Sequence, residues 1–244
     1  MSRTATLYVI GTPIGNLEDI SYRAVRVLGE IDALACEDTR RTRTLLDRYE
    51  IGKPPTVFSL HEHNEARAAA RVLDLLEAGL SVAMCSDAGM PLINDPGFVT
   101  VNAAIDAGHP VEAIPGPTAA ATALAVAGLP TSSFTFMGFA PRKQGKRRRF
   151  LSEEAESEHT LVLYESPHRV AALLQDALAT LGDRSACVCI ELTKKFETVQ
   201  RGSLSTLCEL HADAAPKGEI TVVIAGNHRK WKPAVAAAGG PPPT

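Results

Sequence analysis

Short runs of apolar residues alternate with longer amphipathic stretches between residue 6 and about residue 128. The short runs predict β-strands, and the stretches with apolar residues three and four positions apart predict helices. The predicted strands are Thr6–Gly11, Asp32–Glu37, Thr56–Leu60, Leu80–Cys85 and Val111–Ile114. The predicted helices lie near Leu17–Leu28, Thr39–Tyr49, Glu62–Ala78, Pro96–Ala107 and Pro117–Ala127. Five strand–helix repeats predict a mainly parallel five-stranded sheet that is covered on both faces.

The alternation stops at 131–149, a segment with phenylalanines and a basic run that is predicted to be a connector between domains. Beyond it, the predicted strands are Thr160–Glu165, Ala186–Leu192, Glu197–Gly202 and Gly218–Ala225, and the predicted helices lie near Pro167–Leu181 and Ser203–His211. This order favours a smaller α+β domain over 150–228. The tail at 229–244 is poor in large apolar residues and is predicted to be disordered. The predicted fold class is therefore α/β with two domains, of which the N-terminal domain spans 1–130.

The composition narrows the classes of function. The chain has 244 residues with 25 Lys and Arg against 28 Asp and Glu, and its net charge of -3 excludes a bulk nucleic-acid binder. The longest weakly polar run, Ala119–Pro130, is much shorter than the roughly 20 residues of a membrane span. The first residues lack the apolar segment of a signal peptide, so a cytoplasmic location without a membrane partner is expected. The five cysteines form no Cys-x-x-Cys pair and His61-x-His63 has no third partner at metal-binding spacing, so no metal is expected.

Several predicted strands end in loops that suit a ligand, because parallel sheets bind ligands at the carboxyl ends of their strands. The first loop, 11–16, has neither the Walker spacing nor the G-x-G-x-x-G spacing of phosphate-binding loops. In the loop after the fourth strand, Asp87 near a glycine suits the hydroxyl groups of a nucleoside cofactor. Asp95, which precedes a proline, is better explained as a turn and helix-start residue. The small residues of 115–120 either leave room for a ligand at a helix N-terminus or allow close helix–sheet packing.

Three further strand ends, at 37–42, 61–65 and 164–169, are rich in polar residues. Asp38 by itself is best explained as a helix cap, but several such segments at one sheet edge indicate an active site. The basic run 142–149 places cations at the start of any helix that contains it, where they oppose the helix dipole. An anion-binding surface suited to nucleic-acid phosphates is therefore favoured over a merely solvated helix. The phenylalanines nearby could stack on bases, although hydrophobic packing is favoured.

These motifs, in this order over about residues 6 to 226, resemble a known family. The matching segments are Gly11–Asp19, Glu37–Arg40, Ser86–Pro91, Asp95–Gly97, Pro115–Ala119, Tyr164–Arg169 and Lys217–Glu219. They are similar to those of the ribosomal RNA small subunit 2'-O-ribose methyltransferases, within the tetrapyrrole methylase (class III) superfamily. The resemblance implies that a ribose of a decoding-centre cytidine in 16S rRNA is methylated with S-adenosylmethionine as the cofactor. It also implies a homodimer.

The resemblance further implies where the cofactor binds, which is in a cleft between the two α/β domains. By their positions in the motifs, the expected cofactor contacts are Pro13, Ser86, Asp87, Met90, Thr118, Ala119, Glu165, Leu192, Ile220 and Thr221. Met90, Asn94 and Thr118 stand where the family usually has Thr, Ser and Ser. Members often continue with a further small C-terminal segment, in whose place this chain has its Ala/Gly/Pro tail.

Attack of a ribose 2'-oxygen on a sulfonium methyl group needs close alignment and a group that accepts the hydroxyl proton, but no metal. The candidates for the acceptor are Glu37, Asp38, His61 and Glu165, and the hypothesis is that Glu37 or Asp38 fills this role. Arg40 and Arg41 are expected to hold phosphate. The other expected RNA-binding residues are those of the basic run, Arg142, Lys143, Lys146, Arg147, Arg148 and Arg149.

Two other functions stay open at this point. A small-molecule methyltransferase of the tetrapyrrole type would share the cleft, but a porphyrinoid's carboxylates would need cations inside it rather than on the segment 142–149. A non-catalytic RNA-binding or ribosome-assembly protein would not bind S-adenosylmethionine. A dinucleotide oxidoreductase lacks its glycine fingerprint.

Overall fold

The computed structural model describes residues 4–212 and 215–231, and the chain divides into two compact units, Met1–Ala119 and Ala120–Thr244. The predicted domain boundary at 130 therefore falls after the observed division. Beyond residue 231, the tail that is predicted to be disordered lies outside the described residues. No helix within the two described ranges is long and apolar enough to cross a membrane.

The first unit is built on a five-stranded sheet in the order β3-β2-β4-β1-β5, with every pair of neighbours parallel. The strands are β1 (Leu7–Ile10), β2 (Ala33–Cys36), β3 (Thr56–Ser59), β4 (Val82–Cys85) and β5 (Val111–Ile114). The helices are α1 (Tyr22–Leu28), α2 (Thr39–Arg48), α3 (Glu65–Glu77) and α4 (Phe98–Asp106), with a 3₁₀ turn at Leu17–Asp19. The predicted parallel sheet is confirmed.

Strand side chains point alternately to the two faces of this sheet, and helices pack on both faces. Leu7 and Val9 of β1 pack with residues of α3 and α4, whereas Tyr8 and Ile10 pack with residues of α1 and α2. All four residues of β2 are buried, which explains its unbroken apolar run. Because the strands are parallel, their carboxyl ends lie at one edge of the sheet, and the loops that follow them meet there.

The second unit contains a mixed sheet in the order β6-β7-β10-β8-β9, in which only the β6–β7 pair is parallel among the described strands. Its strands are β6 (Phe134–Phe139), β7 (Thr160–Glu165), β8 (Ser185–Ile190), β9 (Thr198–Ser203) and β10 (Ile220–Ile224). Its helices are α5 (Ala119–Ala127), which starts at the last residue of the first unit, α6 (Gln144–Ser152), α7 (Val170–Leu181), α8 (Leu204–Leu210) and a 3₁₀ turn at Arg229–Trp231. Over the described residues, 4–119 against 120–212 and 215–231, the second unit is nearly as large as the first, whereas the sequence predicts a clearly smaller domain over 150–228.

The segment 131–149, predicted to be a connector, instead contributes β6 and the first part of α6 to the second unit. Strand β6 lies at the edge of the sheet and its register shifts between Phe136 and Gly138, which interrupts the alternation of apolar and polar residues. In α6, Arg147 and Leu151 are the buried residues. One of the two buried positions is therefore charged, which hides the apolar stripe by which a helix is recognised.

Candidate active site

The loops after β1 and β5 touch through two glycines. A Cβ atom on Gly11 would lie 2.7 Å from the Gly116 Cα and 2.6 Å from the Met90 sulfur, and one on Gly116 would lie 2.8 Å from the Gly11 Cα. Real Cβ atoms do not approach other atoms so closely, so both positions require glycine. At Gly116, the structure therefore shows close packing rather than space left for a ligand.

Replacing Gly116 by alanine should lower the free energy of unfolding by about 1–3 kcal/mol, because the two loops must move apart. Urea denaturation measures this change. The matched control is Gly52→Ala in the same unit, since a Cβ there meets nothing within 4 Å. The control should be as stable as the wild type or slightly more stable. A Gly116→Ala protein of unchanged stability would contradict the contact.

The loops after β1 and β4 are joined by a short backbone ladder. The Thr12 amide donates to the Gly89 carbonyl at 2.9 Å, and the Gly89 amide donates to the Thr12 carbonyl at 3.1 Å. The Thr12 hydroxyl donates to the Ser86 carbonyl at 3.2 Å. Gly89 has a φ of +91°, which glycine adopts without strain. The predicted cofactor residues Pro13 and Met90 each follow directly on a residue of this rigid ladder.

The ends of β2 and β4 are clamped by two reciprocal hydrogen bonds between acidic residues. The Asp38 amide donates to the Asp87 carboxylate at 2.9 Å, and the Asp87 amide donates to the Glu37 carboxylate at 3.3 Å. Arg41 forms an ion pair with Asp87 at 3.4 Å. Four predicted site residues therefore lie together at the carboxyl edge of the first sheet.

The Asp38 carboxylate binds groups close to it in the sequence. Its carboxylate accepts from the Arg40 amide at 2.8 Å, which caps α2, and it pairs with the Arg40 guanidinium at 2.8 Å. The hydrogen bond from the Arg40 side chain lowers the pKa of Asp38 from 3.8 to about 2. Asp38 is therefore a weak proton acceptor, and the capping role that its sequence position favours is observed.

Asp95 belongs to the same group of acidic residues, although its position before a proline predicts a turn and helix-start residue. Gly97 is the N-cap residue of α4, and the Glu65 carboxylate caps this helix end by accepting from the Gly97 amide at 2.8 Å and from the Val99 amide at 2.9 Å. Burial, and then the negative charge of Glu37, raises the pKa of Asp95 from 3.8 to about 6. Asp95 is thus free of the capping role.

The Ser86 hydroxyl lies within hydrogen-bonding reach of the Asp95 carboxylate and 3.2 Å from the Gly89 carbonyl. Asp87 adds its negative charge and also raises the pKa of Asp95. We call Glu37, Asp38, Asp87 and Asp95 the carboxylate cluster. Two guanidiniums, those of Arg40 and Arg41, pair with this cluster.

In the second unit, Glu165 ends β7 and is 2 % exposed. One carboxylate oxygen accepts from the Ser166 amide at 2.7 Å and pairs with Arg169. The other oxygen, Oε2, is buried and has no hydrogen-bond partner within the described residues. A buried acceptor without a donor is rare in proteins, so this oxygen is suited to receive a donor from a ligand.

Three other predicted cofactor residues of this unit, Leu192, Ile220 and Thr221, are buried. Next to them, the segment 217–219 has a structural explanation. A Cβ on Gly218 would lie 2.1 Å from the Glu191 carboxylate, which accepts from the Glu219 amide at 2.9 Å. Gly218 therefore lets the Glu191 side chain bind the backbone at this point.

At the start of α5, Thr118 and Ala119 precede the Ala120 amide, which donates to the Tyr164 hydroxyl at 3.2 Å. The Tyr164 ring also packs edge-on against Phe136, with the ring centroids 4.9 Å apart, and against Phe139 at 5.8 Å. Ring packing is therefore observed for Phe136 and Phe139, whereas Phe134 and Phe139 are each about half-exposed.

The side chains of the basic run 142–149 are not all exposed. Arg147 is 5 % exposed and pairs with the buried Asp176 at 2.6 Å, so it is not available to RNA and the prediction for this residue is wrong. Arg148, half-exposed, also pairs with Asp176, at 2.7 Å. Burial alone would raise the pKa of Asp176, but hydrogen bonds from Arg148, Arg147 and Gln144 outweigh it and lower that pKa. The exposed cations of the run are Arg142, Lys143, Lys146, Arg148 and Arg149.

His61 and His63 have ring centroids 6.1 Å apart. The His61 amide donates to the Asn64 side chain at 2.8 Å, which shapes the turn before α3. Within 4–212 and 215–231, no group of three or more His, Cys, Asp or Glu residues is arranged to hold a metal ion.

Comparison with known proteins assigns the chain to a family. Residues 6–208 match the family described as Tetrapyrrole (Corrin/Porphyrin) Methylases. The chain belongs to this family. Among its similar relatives is a protein of Halalkalibacterium halodurans named ribosomal RNA small subunit methyltransferase I, which is 46 % identical over 93 % of this chain and 78 % of the relative. A protein of the same name from Vibrio cholerae is 46 % identical over 90 % of this chain and 77 % of the relative.

Two solved structures are similar to this chain in fold. Uroporphyrin-III-C-methyltransferase from Thermus thermophilus has a TM-score of 0.62 at 22 % identity, over 90 % of this chain and 94 % of that chain. Diphthine synthase has a TM-score of 0.67 at 15 % identity, over 91 % of this chain and 90 % of that chain. At these identities the likeness shows the tetrapyrrole methylase fold alone. The predicted family and the predicted methyltransferase activity class are confirmed by the family match and the close relatives.

Proposed function

We propose that the chain transfers a methyl group from S-adenosylmethionine to the ribose 2'-oxygen of a decoding-centre cytidine in 16S rRNA. The observation that carries this proposal is the 46 % identity, over 93 % of the chain, to a relative named ribosomal RNA small subunit methyltransferase I. The proposal includes a cytoplasmic location, where ribosomal subunits are assembled, and a homodimer, as the sequence resemblance implies.

The carboxylate cluster fits S-adenosylmethionine as the cofactor. That molecule has a positive sulfonium and a positive amino group, and its ribose hydroxyls are donors that carboxylates accept. Four carboxylates against two guanidiniums favour such a cofactor over the phosphates of a dinucleotide or the carboxylates of a porphyrinoid. When bound, S-adenosylmethionine supplies a methyl group on positively charged sulfur that is open to a nucleophile.

The residues proposed to hold the cofactor in the first unit are Pro13, Ser86, Asp87, Met90, Thr118 and Ala119. Those of the second unit are Glu165, Leu192, Ile220 and Thr221. Among them, the unpartnered Oε2 of Glu165 supports the assignment most directly, because it can accept from an amino or hydroxyl group. The ladder between Thr12 and Gly89 keeps the neighbouring backbone in place before any ligand binds.

The hydroxyl proton must pass to a base, for which we propose Glu37 or Asp95. Asp38 is the weaker choice, because its pKa of about 2 leaves it little affinity for a proton. Asp95 combines a half-buried position at the carboxylate cluster with a pKa of about 6, close to a neutral working pH. The exposed cations Arg40, Arg41, Arg142, Lys143, Lys146, Arg148 and Arg149 are proposed to bind phosphates of the RNA.

The test is transfer of labelled methyl from S-adenosylmethionine to small ribosomal subunits from a strain that lacks this gene, followed by mass spectrometry of the nucleosides. We expect 2'-O-methylcytidine as the labelled product. Subunits from the parent strain are the matched control and should accept little label, because their site is already methylated. Cofactor binding without labelled rRNA would overturn the proposal in favour of a small-molecule methyltransferase. Absence of cofactor binding in calorimetry would favour an assembly protein.

A further inference from the structure

A groove of about 670 Å³ lies between α2 and the segment that leads from α2 into β3. Three cationic residues, Arg40, Arg43 and Lys53, and three apolar residues, Leu46, Ile51 and Val57, are among those that line it. The volume lies within the range of pockets that hold ligands of nucleotide size. Apart from Arg40, which is proposed to bind a phosphate of the RNA, the residues that line the groove have no role in the proposed function.

The apolar part of the groove is held by a well-formed helix end. After α2, Glu50 adopts the left-handed conformation with a φ of 54°. The Ile51 amide donates to the Leu46 carbonyl at 2.9 Å, and the Glu50 amide donates to the Asp47 carbonyl at 3.3 Å. These two bonds form a Schellman motif, in which Leu46 and Ile51 are brought into apolar contact. The groove is therefore a fixed feature rather than the product of a loose loop.

The cations of the groove are available to a ligand. Arg43 pairs with Asp47 at 3.3 Å, but both side chains are about two-thirds exposed, and such pairs contribute little and exchange readily. In the part of the chain that the structure describes, Lys53 forms no ion pair. Helix α2 also exposes Arg41 and Arg48. The exposed cations of this surface outnumber its exposed acidic residues, Asp47 and Glu50, although the chain has a net charge of -3.

The groove starts at the first turn of α2, and its residue Thr39 directly follows Asp38 of the carboxylate cluster. A strand of RNA whose target ribose lies at that cluster would need somewhere to place its next nucleotides. We infer that the groove binds a nucleotide of single-stranded RNA next to the methylated one, with the base on the partly exposed Ile51 and Val57. Arg43 and Lys53 hold its phosphates. This inference rests on the proposed function.

Apolar contact with an unstacked base and ion pairs with phosphates are the two interactions that single-stranded RNA sites combine. A free anion would need only the cationic residues of the groove, and an apolar peptide would need only its apolar residues. The groove has both, side by side, which is why RNA is the occupant that its chemistry favours.

The test is the double variant Arg43→Ala/Lys53→Ala in methyl transfer to unmethylated small subunits. The KM for subunits should rise about tenfold, while kcat and the Kd for S-adenosylmethionine stay within twofold of wild type. The slope of log KM against log salt should fall by about 1.4, or 0.7 for each cation lost. The matched control is Arg67→Ala, because Arg67 is an exposed cation on α3, which covers the opposite face of the sheet.

A second variant tests the space rather than the charge. Gly52 lines the groove and a Cβ there meets nothing within 4 Å, so Gly52→Leu adds bulk without a clash in the fold. It should raise the KM for subunits at unchanged kcat. Unchanged KM in both variants and an unchanged salt slope in the double variant, with an active wild type, would overturn the groove assignment alone. Absence of methyl transfer by the wild type would instead overturn the proposed function.

Discussion

Replacing Asp176 by asparagine should lower the free energy of unfolding by about 3–5 kcal/mol. Asp176 is 1 % exposed on α7 and holds the guanidinium of Arg147, which is itself 5 % exposed. Asparagine keeps the size of the side chain but removes its charge. The positive charge of Arg147 would then remain buried without a counter-ion, which is far more costly than the loss of a surface pair.

Urea denaturation at neutral pH measures this difference, and Arg148→Ala is the matched control. Arg148 also pairs with Asp176 but is half-exposed, so its loss should cost less than about 1 kcal/mol. The pKa of Asp176 is lowered in the folded state, so its stabilisation is present above the ordinary aspartate pKa and disappears as the pH falls through the folded value. The free energies of unfolding of the wild type and of Asp176→Asn should therefore converge as the pH falls into the acid range. Equal losses in both variants at pH 7 would contradict the buried pair.

The strands of the first unit could be located from sequence because each is short, apolar and followed by a turn residue. Strand β2, Ala33–Cys36, is buried along its whole length, so its sequence is an unbroken apolar run within the predicted Asp32–Glu37. Parallel topology then gathers the strand ends at one edge, so that Glu37 and Asp87 could be predicted to lie together although 50 residues separate them. Local pattern and a general rule of sheet geometry were sufficient for this part of the site.

Strand β6 and helix α6 could not be located in the same way. Phe134 and Phe139 of β6 are about half-exposed, and the register shift breaks the two-residue alternation. The buried face of α6 includes Arg147, whose partner Asp176 lies 29 residues further along the chain. A charged residue in a basic run predicts solvent exposure until its distant partner is known. Sequence reasoning therefore assigned Arg147 to the RNA-binding surface.

Asp95 shows the same limit at the carboxylate cluster. An aspartate before proline at a helix start is typical of a cap, and nothing in the neighbouring sequence argues against that role. Glu65, which lies 32 residues before Gly97, provides the cap instead. In the structure, Leu92 and Asn94 have φ values of 71° and 68°, an uncommon backbone conformation that marks this loop as a site of interest. The sequence does not reveal those angles.

Asp95→Asn should lower kcat by about 10²–10⁴-fold if Asp95 accepts the ribose hydroxyl proton, the range expected for loss of a general base. In wild type, kcat should rise with pH through about 6, the pKa of Asp95, because the base acts in its ionised form. The matched control is Asp38→Asn, since asparagine caps a helix as well as aspartate and Asp38 is a weak base. It should lose no more than a few-fold. Glu37→Gln, tested beside them, reports on the competing base.

The stability of Asp95→Asn distinguishes a base from a structural residue. The pKa of Asp95 is raised from 3.8 to about 6 in the folded state, so its contribution to stability is fully present below pH 3.8 and is lost as the pH rises through 6. Above pH 6, wild type holds an unfavourably buried carboxylate, and Asp95→Asn should be more stable by about 1 kcal/mol. A thermal scan at pH 8 should show a melting temperature roughly 2–4 °C higher. A variant that is more stable but keeps wild-type kcat and pH profile would leave Glu37 as the base.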